Sequence, residues 1–377
     1  MVASVIAVTR PGGRREIARA FRELLPEVHR GSPGWHAPPV AFDLARLDPA
    51  QEPIWRDAQR ALLVAERGGR AVGRLLAFVP PEALGAPAGS RTGRFAWFDA
   101  VDDAAVVDAL FGEALRWLAA RGCGDVVGPL AFSMHDEVGL LVEGFERPPA
   151  FLMPFNAPHA AAHLARLGFS PVRELRSAAW SLADGVPVRP DRKDLGAPAD
   201  LALRGFSLAR RDEDTRALLE VYNAAFAGNW GFEPLREEGA RLLVEQLVRF
   251  GDPRLVRIAE RAGRAVAFAL VVPDPNAHLH ATRGQPGWLR LLRLAVTAKR
   301  RRLRHARFMT LAVLPAERRR GIAHALVRDV ATVGRRLGYR AAELSYVDAG
   351  NNPMNAILAG LSLPRTKRYV VYRRAIP

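Results

Sequence analysis

The alternation of apolar and polar positions predicts two copies of one run of strands and helices. Apolar stretches at Ala61–Ala65 and Val72–Val79 flank a glycine turn, as do the stretches at Leu255–Ala259 and Ala265–Val272. Each pair predicts a β-hairpin. The turn sequences, AERGGRAV in the first pair and AERAGRAV in the second, differ at one position. A repeat of this kind indicates a duplicated domain.

The elements after each hairpin follow a similar order. In the first copy they are strand Phe95–Val101, helix Ala104–Ala120, strand Asp125–Leu130, helix His159–Leu167 and strand Val172–Leu182. In the second copy they are strand Phe308–Leu314, helix Ile322–Leu337, strand Arg340–Val347, helix Met354–Leu361 and strand Lys367–Arg373. We therefore predict an α/β fold of two tandem domains, at 1–183 and 201–377, joined by a Pro- and Gly-rich linker at 184–200.

Composition narrows the class of protein. The chain has 377 residues and is 49% hydrophobic, which is enough for two cores. Cys123 is the only cysteine, so neither a disulfide nor a cysteine metal site is expected. No apolar run reaches the roughly 18–20 residues that span a bilayer, and we expect a cytoplasmic protein. The net charge of +16 favours a polyanionic partner, although an arginine-rich surface encoded by a GC-rich genome gives the same excess.

One loop of the second copy has the chemistry of an anion site. It contains Arg318, Arg319 and Arg320 after a predicted strand, and Gly321 opens the helix that follows. The first turn of a helix presents unpaired N–H groups and a partial positive charge, so it binds phosphate oxygens. Gly321 and the small Ala323 allow close approach of a ligand, and the arginines add charged donors. A basic loop that only caps the helix is the alternative.

The first copy lacks this loop. Its corresponding segment contains Asp99, Asp102 and Asp103, and no glycine opens the helix. These carboxylates would repel a pyrophosphate, whereas acidic residues suit a helix N-terminus. We expect the first copy to have lost cofactor binding, and to shape the acceptor site or support the second copy.

The spacing Arg318-x-x-Gly321-x-Ala323 resembles the R/Q-x-x-G-x-G/A loop of GNAT acyltransferases, which holds the pyrophosphate of acyl-CoA. Longer segments resemble tandem GNAT proteins of the YghO-like group, some of which are linked to bacterial ceramide synthesis. These segments are Gly128–Phe145, Arg147-Pro-Pro, Asn229–Phe232, Glu343–Tyr346 and Asn352–Met354. The resemblance implies two GNAT-like domains, each a mixed, mostly antiparallel sheet flanked by helices. It also implies an N-acyltransferase that moves an acyl group from acyl-CoA to a primary amine, such as a sphingoid base, without a metal.

The same resemblance implies where the cofactor lies. The thioester would sit between the ends of the strands Phe308–Leu314 and Ala341–Val347, against the backbone of the first strand. The residues implied to contact acyl-CoA are Leu311, Ala312, Val313, Arg318, Arg319, Arg320, Gly321, Ile322, Ala323 and Asn352.

Acyl transfer to an amine needs a neutral amine, a stabilised oxyanion and a proton for the leaving thiolate. Glu343 is the first candidate for the base and Asp348 the second, although Glu343 could equally be paired with an arginine on the strand face. Many GNAT enzymes have a tyrosine in the last helix, but counting from Asn352 places Leu358 there. Tyr346 or water would then supply the proton.

Two further groups are candidates for binding the acceptor. Asn229 and Trp230 lie in the loop between the first two helices of the second copy, and their alternative role is a helix end with a buried indole. His135, Asp136 and Glu137 form a polar run in the first copy, which a solvated turn would also explain.

A basic insertion distinguishes the second copy. The hairpins lie 194 residues apart (Ala65 to Ala259), but the next strands lie 213 apart (Phe95 to Phe308), so about 19 residues were added. The segment Trp288–Arg304 contains no acidic residue and predicts an amphipathic helix. Such a helix, at 286–304, suits an anionic membrane surface. A helix that covers the domain with a solvated arginine face is the alternative.

Three functions compete at this point. The first is an acyl-CoA-dependent N-acyltransferase acting on a small-molecule or lipid amine, cytoplasmic or peripheral at the inner face of the membrane. The second is a non-catalytic acyl-CoA-binding or regulatory protein. The third, nucleic-acid binding, lacks any helix-turn-helix, zinc or RNA-binding signature.

Overall fold

Two compact units make up the chain. The computed structural model describes residues 5–52, 54–81, 87, 89–131, 136–182, 198–232 and 234–376. The N-terminal unit contains Met1–Leu175 and Lys367–Pro377, and the C-terminal unit contains Arg176–Thr366. Most of the predicted linker, 184–200, lies outside the described residues.

The N-terminal unit is a sheet flanked by helices. Its strands are β1 (Ile6–Thr9), β2 (Gln59–Arg67), β3 (Arg70–Val79), β4 (Arg91–Ala100), β5 (Cys123–Gly128), β6 (Leu140–Glu143), the first part of β7 (Ser170–Ser181) and most of β13 (Arg365–Ala375). Its helices are α1 (Arg14–Val28), α2 (Val40–Arg46), α3 (Ile54–Asp57), α4 (Ala104–Ala119) and α5 (Ala160–Arg166). The strand order is β1-β2-β3-β4-β5-β13, with β6 also paired to β13. The β4–β5 pair is parallel, and the β1–β2, β2–β3, β3–β4, β5–β13 and β6–β13 pairs are antiparallel.

The C-terminal unit repeats this arrangement. Besides the remaining part of β7, its strands are β8 (Ala202–Gly205), β9 (Arg257–Arg261), β10 (Arg264–Pro273), β11 (His305–Val313) and β12 (Ala341–Asp348). Its helices are α6 (Arg211–Phe226), α7 (Glu237–Phe250), α8 (Pro275–Ala281), α9 (Gly287–Lys299), α10 (Ile322–Arg336) and α11 (Asn352–Gly360). The order is β7-β12-β11-β10-β9-β8, with β11 and β12 parallel. The predicted mixed, mostly antiparallel sheets are confirmed.

Each sheet buries apolar side chains against its helices. In the N-terminal unit, Leu110 and Phe111 of α4 pack on one face of the sheet, and Phe21 and Leu24 of α1 pack within a separate core. In the C-terminal unit, α10 contributes Leu326 to the core that the sheet covers. The elements that carry the predicted site are therefore held by extensive apolar burial, the main favourable term in folding.

Helix ends follow the chemistry expected of them. Asp103 caps α4, because its carboxylate accepts the N–H of Ala105 at 2.8 Å. Gly122 follows α4 and Gly338 follows α10, with φ angles of 75° and 87°. This left-handed backbone favours glycine, so both residues let the chain turn into the next strand.

The final strand and the first helix differ from the sequence-based expectation. The final strand, β13, was assigned to the second copy, yet most of it belongs to the N-terminal unit because Tyr372 pairs with Gly128 of β5. Helix α1 was not predicted at all. Its N-cap, Gly13, has no capping side chain, and Pro26 lies inside its last turn, so its end signals are weak.

Candidate active site

The C-terminal unit opens its sheet between two parallel strands. The register of β11 with β12 ends at Phe308↔Leu344 after four residue pairs. Both strands are fully described, and they continue to Val313 and Asp348 without further pairing to each other. Because β11 stays paired with β10 on its other side, its free edge presents backbone N–H and C=O groups to the gap. The predicted contact residues Leu311, Ala312 and Val313 lie on this stretch of β11.

A β-bulge marks the point where the strands part. In the β10–β11 ladder Leu270 pairs with Thr310 and Val271 pairs with Phe308, which leaves Met309 as an extra residue. A bulge bends its strand and increases the local twist. This bulge falls directly after Phe308, the last residue of β11 that pairs with β12. The strand contains neither glycine nor proline, so no residue type in it indicates a bulge.

The predicted phosphate loop has the backbone that such a site needs. Gly321 precedes α10 with a φ angle of 75°, in the region that glycine favours. Ile322 is buried at the start of the helix, and the small Ala323 is only half-buried. The N–H groups of this first turn lack intrahelical partners, so the loop fits a pyrophosphate.

The three arginines of the loop differ in what they contact. Arg318 holds the loop in place, because its guanidinium donates to the carbonyl of Ala225 at 2.7 Å and to that of Val313 at 3.4 Å. Arg320 lies 3.7 Å from Glu317. Arg319 is exposed, with a φ angle of 65°. Arg319 and Arg320 are therefore better placed to meet an anion than Arg318.

A buried cation lies beside the point where the strands part. Arg307 on β11 is 1% exposed and pairs in register with Glu343 on β12. Its Nε donates to Ser345 Oγ at 3.0 Å, and its guanidinium carbon lies 4.9 Å from the ring centroid of Tyr346. The structure thus places the Tyr346 ring against a buried positive charge, and it places Glu343 opposite Arg307 in the register of the two strands. Sequence analysis missed Arg307, although a charged residue inside an apolar strand is itself a signal.

The remaining candidates, Asp348 and Asn352, lie at the end of β12 and at the start of α11, where side chains stabilise the local backbone. Asp348 Oδ1 accepts the N–H of Gly350 at 2.7 Å, which closes a turn. The cap of α11 is Asn351, whose side chain accepts the N–H of Met354 at 3.1 Å, whereas Asn352 begins the helix and is exposed. Leu358, at the position of the family's tyrosine, is packed in the core. Sequence analysis missed the capping role of Asn351.

The loop after α6 borders the phosphate loop, because the Arg318 guanidinium donates to the carbonyl of Ala225 near the end of α6. Asn229 is exposed in this loop and Trp230 is half-buried. The Tyr222 ring lies 5.0 Å from that of Phe226 and 5.9 Å from that of Phe232, which gives the loop an aromatic side. Asn223 fixes the loop by pairing with the backbone of Leu235, at 2.9 and 3.0 Å. The two predicted acceptor residues therefore lie near the predicted cofactor loop.

In the N-terminal unit the three acidic residues at the matching position are paired. Asp103 caps α4, as described above. Asp99 is buried and bonds to Arg74 at 2.8 Å and to His29 at 3.1 Å. Asp102 bonds to His163 at 2.9 Å. Acidic side chains thus occupy the place where the C-terminal unit has its basic loop.

The N-terminal unit also contains a carboxylate cluster, which comprises Asp43, Glu52, Asp99, Asp136 and Glu137. Arg46 lies 3.1 Å from both Asp136 and Glu137, and Arg74 lies 3.8 Å from Asp43. The indole of Trp97 donates to Glu137 at 2.9 Å. Glu137, predicted to bind the acceptor, is therefore part of this cluster. His135, predicted with it, lies outside the described residues.

Burial and mutual repulsion change the acidity of this cluster. Burial raises the pKa of Asp43 from 3.8 to about 6, although Arg74 partly opposes it. Burial, followed by repulsion from Asp136, raises the pKa of Glu52 from 4.5 to about 8. Burial alone would raise the pKa of Asp99 as well, but Arg74 and the bond from His29 lower it to about 2. Asp43 and Glu52 therefore hold protons at a pH at which exposed carboxylates are ionised.

Helix α9 exposes its apolar side. Trp288 is 69% exposed and Leu292 54% exposed, whereas Arg290 is buried and donates to the carbonyl of Leu279 at 3.1 Å. The helix ends at Lys299, earlier than the predicted Arg304, because Arg301 adopts a φ angle of 51°. Arg293 and Lys299 are exposed too, so the helix presents both apolar and basic side chains to solvent.

Neither a metal cluster nor a membrane span is found in the described part of the chain. No three His, Cys, Asp or Glu side chains there are grouped so that they could hold a metal ion. None of the helices described there has the length and hydropathy that crossing a bilayer requires.

Comparison with known proteins supports the class that the sequence resembles, the GNAT acyltransferases. The Acetyltransferase (GNAT) family matches residues 215–359. The chain is 31% identical to the bacterial ceramide synthase of Caulobacter vibrioides (strain NA1000 / CB15N) over 382 residues, which cover 99% of this chain and 97% of that protein. It is 30% identical to Protein YghO of Escherichia coli (strain K12) over 374 residues, which cover 95% and 93%.

Solved structures share the fold over the whole length. A tandem GNAT protein from the clavulanic acid biosynthesis pathway has a TM-score of 0.62 at 17% identity and covers 99% of each chain. A GCN5-related N-acetyltransferase from Sphaerobacter thermophilus has a TM-score of 0.59 at 18% identity and covers 98% of this chain and 96% of its own. The fold and the parted strands define an N-acyltransferase of the GNAT type. The chain belongs to this family as a tandem member.

The raised pKa values in the N-terminal unit predict a pH effect on stability. A carboxyl whose pKa is higher in the folded state stabilises the fold below its unfolded pKa, and this contribution is lost as the pH rises through the folded pKa. For Glu52 the loss occurs between pH 4.5 and about 8. We expect Glu52→Gln to stabilise the protein against urea at the upper end of this range but not at the lower end. Parallel pH profiles for the variant and the wild type would contradict this, and Asp57→Asn, which removes an exposed carboxylate nearby, is the control.

Proposed function

We propose that the C-terminal unit transfers an acyl group from acyl-CoA to a primary amine of a lipid such as a sphingoid base. The observation that carries the proposal is the gap between β11 and β12, next to a helix N-terminus that Gly321 opens. A relative that is 31% identical over nearly the full length is named a ceramide synthase, which supports a lipid amine as the acceptor.

The residues around the gap can supply what the reaction needs. The thioester brings an activated carbonyl carbon when it is bound. Backbone N–H groups at the free edge of β11, near Ala312 and Val313, would donate to the acyl carbonyl or the pantetheine arm. Glu343 would take a proton from the ammonium, so that the amine becomes a nucleophile. The Tyr346 hydroxyl would hold the proton for the leaving thiolate, and Arg307 fixes its ring.

The cofactor loop can be tested by binding alone. We expect CoA to raise the melting temperature of the wild type. At a CoA concentration of about 100 Kd, the free energy of unfolding should rise by about 2.7 kcal/mol. Gly321→Glu should abolish this shift, because its carboxylate repels the pyrophosphate. Gly321→Ala imposes the same backbone conformation on a neutral side chain, so it should retain part of the shift. If CoA, acetyl-CoA and a long-chain acyl-CoA all fail to stabilise the wild type, the cofactor proposal is wrong and the loop only caps the helix.

The choice of base can be tested by turnover. With acyl-CoA and a long-chain amine, Glu343→Gln should lower kcat by about 100-fold to 10,000-fold, because it removes a general base. Asp348→Asn should keep most of the activity, since an amide oxygen can still accept the N–H of Gly350. The measurement is thiol release at saturating acyl-CoA as a function of pH. Loss of activity in Asp348→Asn but not in Glu343→Gln would make Asp348 the base. Binding of acyl-CoA without turnover across a panel of amines would favour a regulatory protein.

The proposal includes docking on an anionic membrane through α9. Its exposed face carries Trp288, Leu291, Leu292 and Val296, and no acidic residue occurs from Trp288 to Arg304. An exposed apolar face bordered by cations suits the surface of an anionic bilayer. Such docking would place a cytoplasmic enzyme where lipid amines and long-chain acyl-CoA partition.

Membrane docking predicts a specific loss on mutation. Leu292→Glu should weaken sedimentation with vesicles that contain anionic lipid by about 10-fold or more, since a buried leucine contributes roughly 1.5–3 kcal/mol. Leu243→Glu on α7 is the matched control, because Leu243 is an equally large exposed side chain of the same unit, at 49% exposure. Equal binding by the wild type and Leu292→Glu would exclude α9 as the docking surface.

A further inference from the structure

Helix α6 lacks a basic side chain at the end where a helix favours one. It has three acidic residues in its first turn and no basic residue in its last turn, which ends at Phe226. The last carbonyls of a helix have no intrahelical partner and carry a partial negative charge. The carbonyl of Ala225 is one of them, because the N–H of Asn229 donates to the carbonyl of Phe226 instead, at 2.8 Å. This end of α6 can therefore accept a cation from another element of the fold.

Arg318 of the phosphate loop supplies that cation. Its Nη2 donates to the carbonyl of Ala225 at 2.7 Å, a distance typical of a charge-assisted hydrogen bond. Its Nε donates to the carbonyl of Val313, the last residue of β11, at 3.4 Å. One guanidinium thus joins the end of α6 to the end of β11, whose free edge borders the gap between the parted strands.

The last turn of α6 leads directly into the loop that carries Asn229 and Trp230. The start of this loop is held by the hydrogen bond from Asn229 to Phe226. Its far end is held by Asn223, whose side-chain amide pairs with the backbone of Leu235 at 2.9 and 3.0 Å. Both anchors, Asn223 and Phe226, belong to α6 itself. The position of the loop therefore depends on the end of α6, and so on the cation that caps this end.

The contacts of Arg318 distinguish it from the two arginines that follow it. Two of its three guanidinium nitrogens donate to carbonyl oxygens of other elements. A pyrophosphate at the start of α10 would have to compete with these carbonyls for the same N–H groups. Arg319 and Arg320 are both exposed. The anion can therefore be met by these two arginines and by the N–H groups of the first turn of α10.

We propose that Arg318 is a positioning residue for the acceptor. It caps α6, and the capped helix fixes the loop of Asn229 and Trp230 where the primary amine binds. This inference rests on the proposed acyl transfer. It gives Arg318 a role other than the cofactor contact that the resemblance to the R/Q-x-x-G-x-G/A loop implies. Because the guanidinium extends from the loop that holds the cofactor, the cofactor site and the amine site share one structural link.

The test separates the two substrates by thiol release and thermal shift, both measured on the full chain. Arg318→Met removes the donors and keeps an apolar stem. The KM for a long-chain amine at saturating acyl-CoA should then rise about 10-fold or more, because a hydrogen bond from a charged group is lost. The CoA-induced shift in melting temperature should stay close to that of the wild type. Arg318→Lys retains a cation that can donate to one carbonyl, so it should recover part of the lost amine binding.

Arg319→Met is the matched control in the same loop, and it should show the reverse pattern, a smaller CoA-induced shift with an unchanged KM for the amine. Two outcomes would overturn the proposal. If Arg318→Met reduces the CoA-induced shift as much as Arg319→Met does and leaves the KM for the amine unchanged, Arg318 is a ligand of the cofactor. If Arg318→Met raises the KM for the amine and the KM for acyl-CoA equally, and Arg318→Lys recovers neither, the contact only stabilises the fold.

Hydrogen exchange gives a second measurement that does not require turnover. In Arg318→Met the backbone amides of residues 227–232 should exchange about 10-fold faster than in the wild type, because the end of α6 opens more readily. Arg319→Met should leave their exchange unchanged. Equal exchange in Arg318→Met and the wild type would show that Arg318 does not fix the loop, whether or not acyl transfer is observed. Absence of thiol release from the wild type with every amine would instead contradict the acyl transfer, so the two failures can be told apart.

Discussion

The separation of β11 from β12 is the constraint on which the candidate active site depends. The bulge at Met309 bends β11 immediately after its last pair with β12, and the edge that results keeps its N–H groups available to a ligand. Opening a sheet is costly because backbone groups lose their partners. The buried core beneath both strands and the β10–β11 ladder hold the opening in place. Arg307 and Glu343 form the pair before the last one that joins the two strands, and the phosphate loop follows β11 beyond the opening.

The N-terminal copy contains a similar bulge, but residues of its own chain lie at the position of the opening. Its parallel register ends at Arg94↔Val127, and a bulge lies between Ala96 and Asp99, where Trp97 has a φ angle of 50°. Here the indole of Trp97 bonds to Glu137, and the backbone of Ala131 bonds to that of Glu137 at 3.0 Å. Duplication thus preserved the bend but not the opening, and acidic side chains that are paired within the chain stand where the C-terminal copy has its basic loop.

Periodicity and end signals sufficed to predict the order of most strands and helices, because apolar burial repeats with the period of each element. The phosphate loop could be predicted as well, since glycine, arginines and a helix start are adjacent in sequence. The pairing of Arg307 with Glu343 and the proximity of Asp43 to Glu137 could not be predicted, because they join residues far apart along the chain. Helix α1 escaped prediction for a local reason, namely its uncapped start at Gly13.

Strand β13 follows the C-terminal unit in the sequence but completes the sheet of the N-terminal unit, and this affects folding during synthesis on the ribosome. β5 ends at Gly128, but the strand that pairs with its outer edge continues to Ala375. At about 5–20 residues per second, that edge waits on the order of 10–50 s for its partner. An unpaired edge is a template for pairing with other chains during this time. The N-terminal unit is thus translated early but can complete its sheet only when β13 emerges, and until then the nascent chain carries an unpaired strand edge.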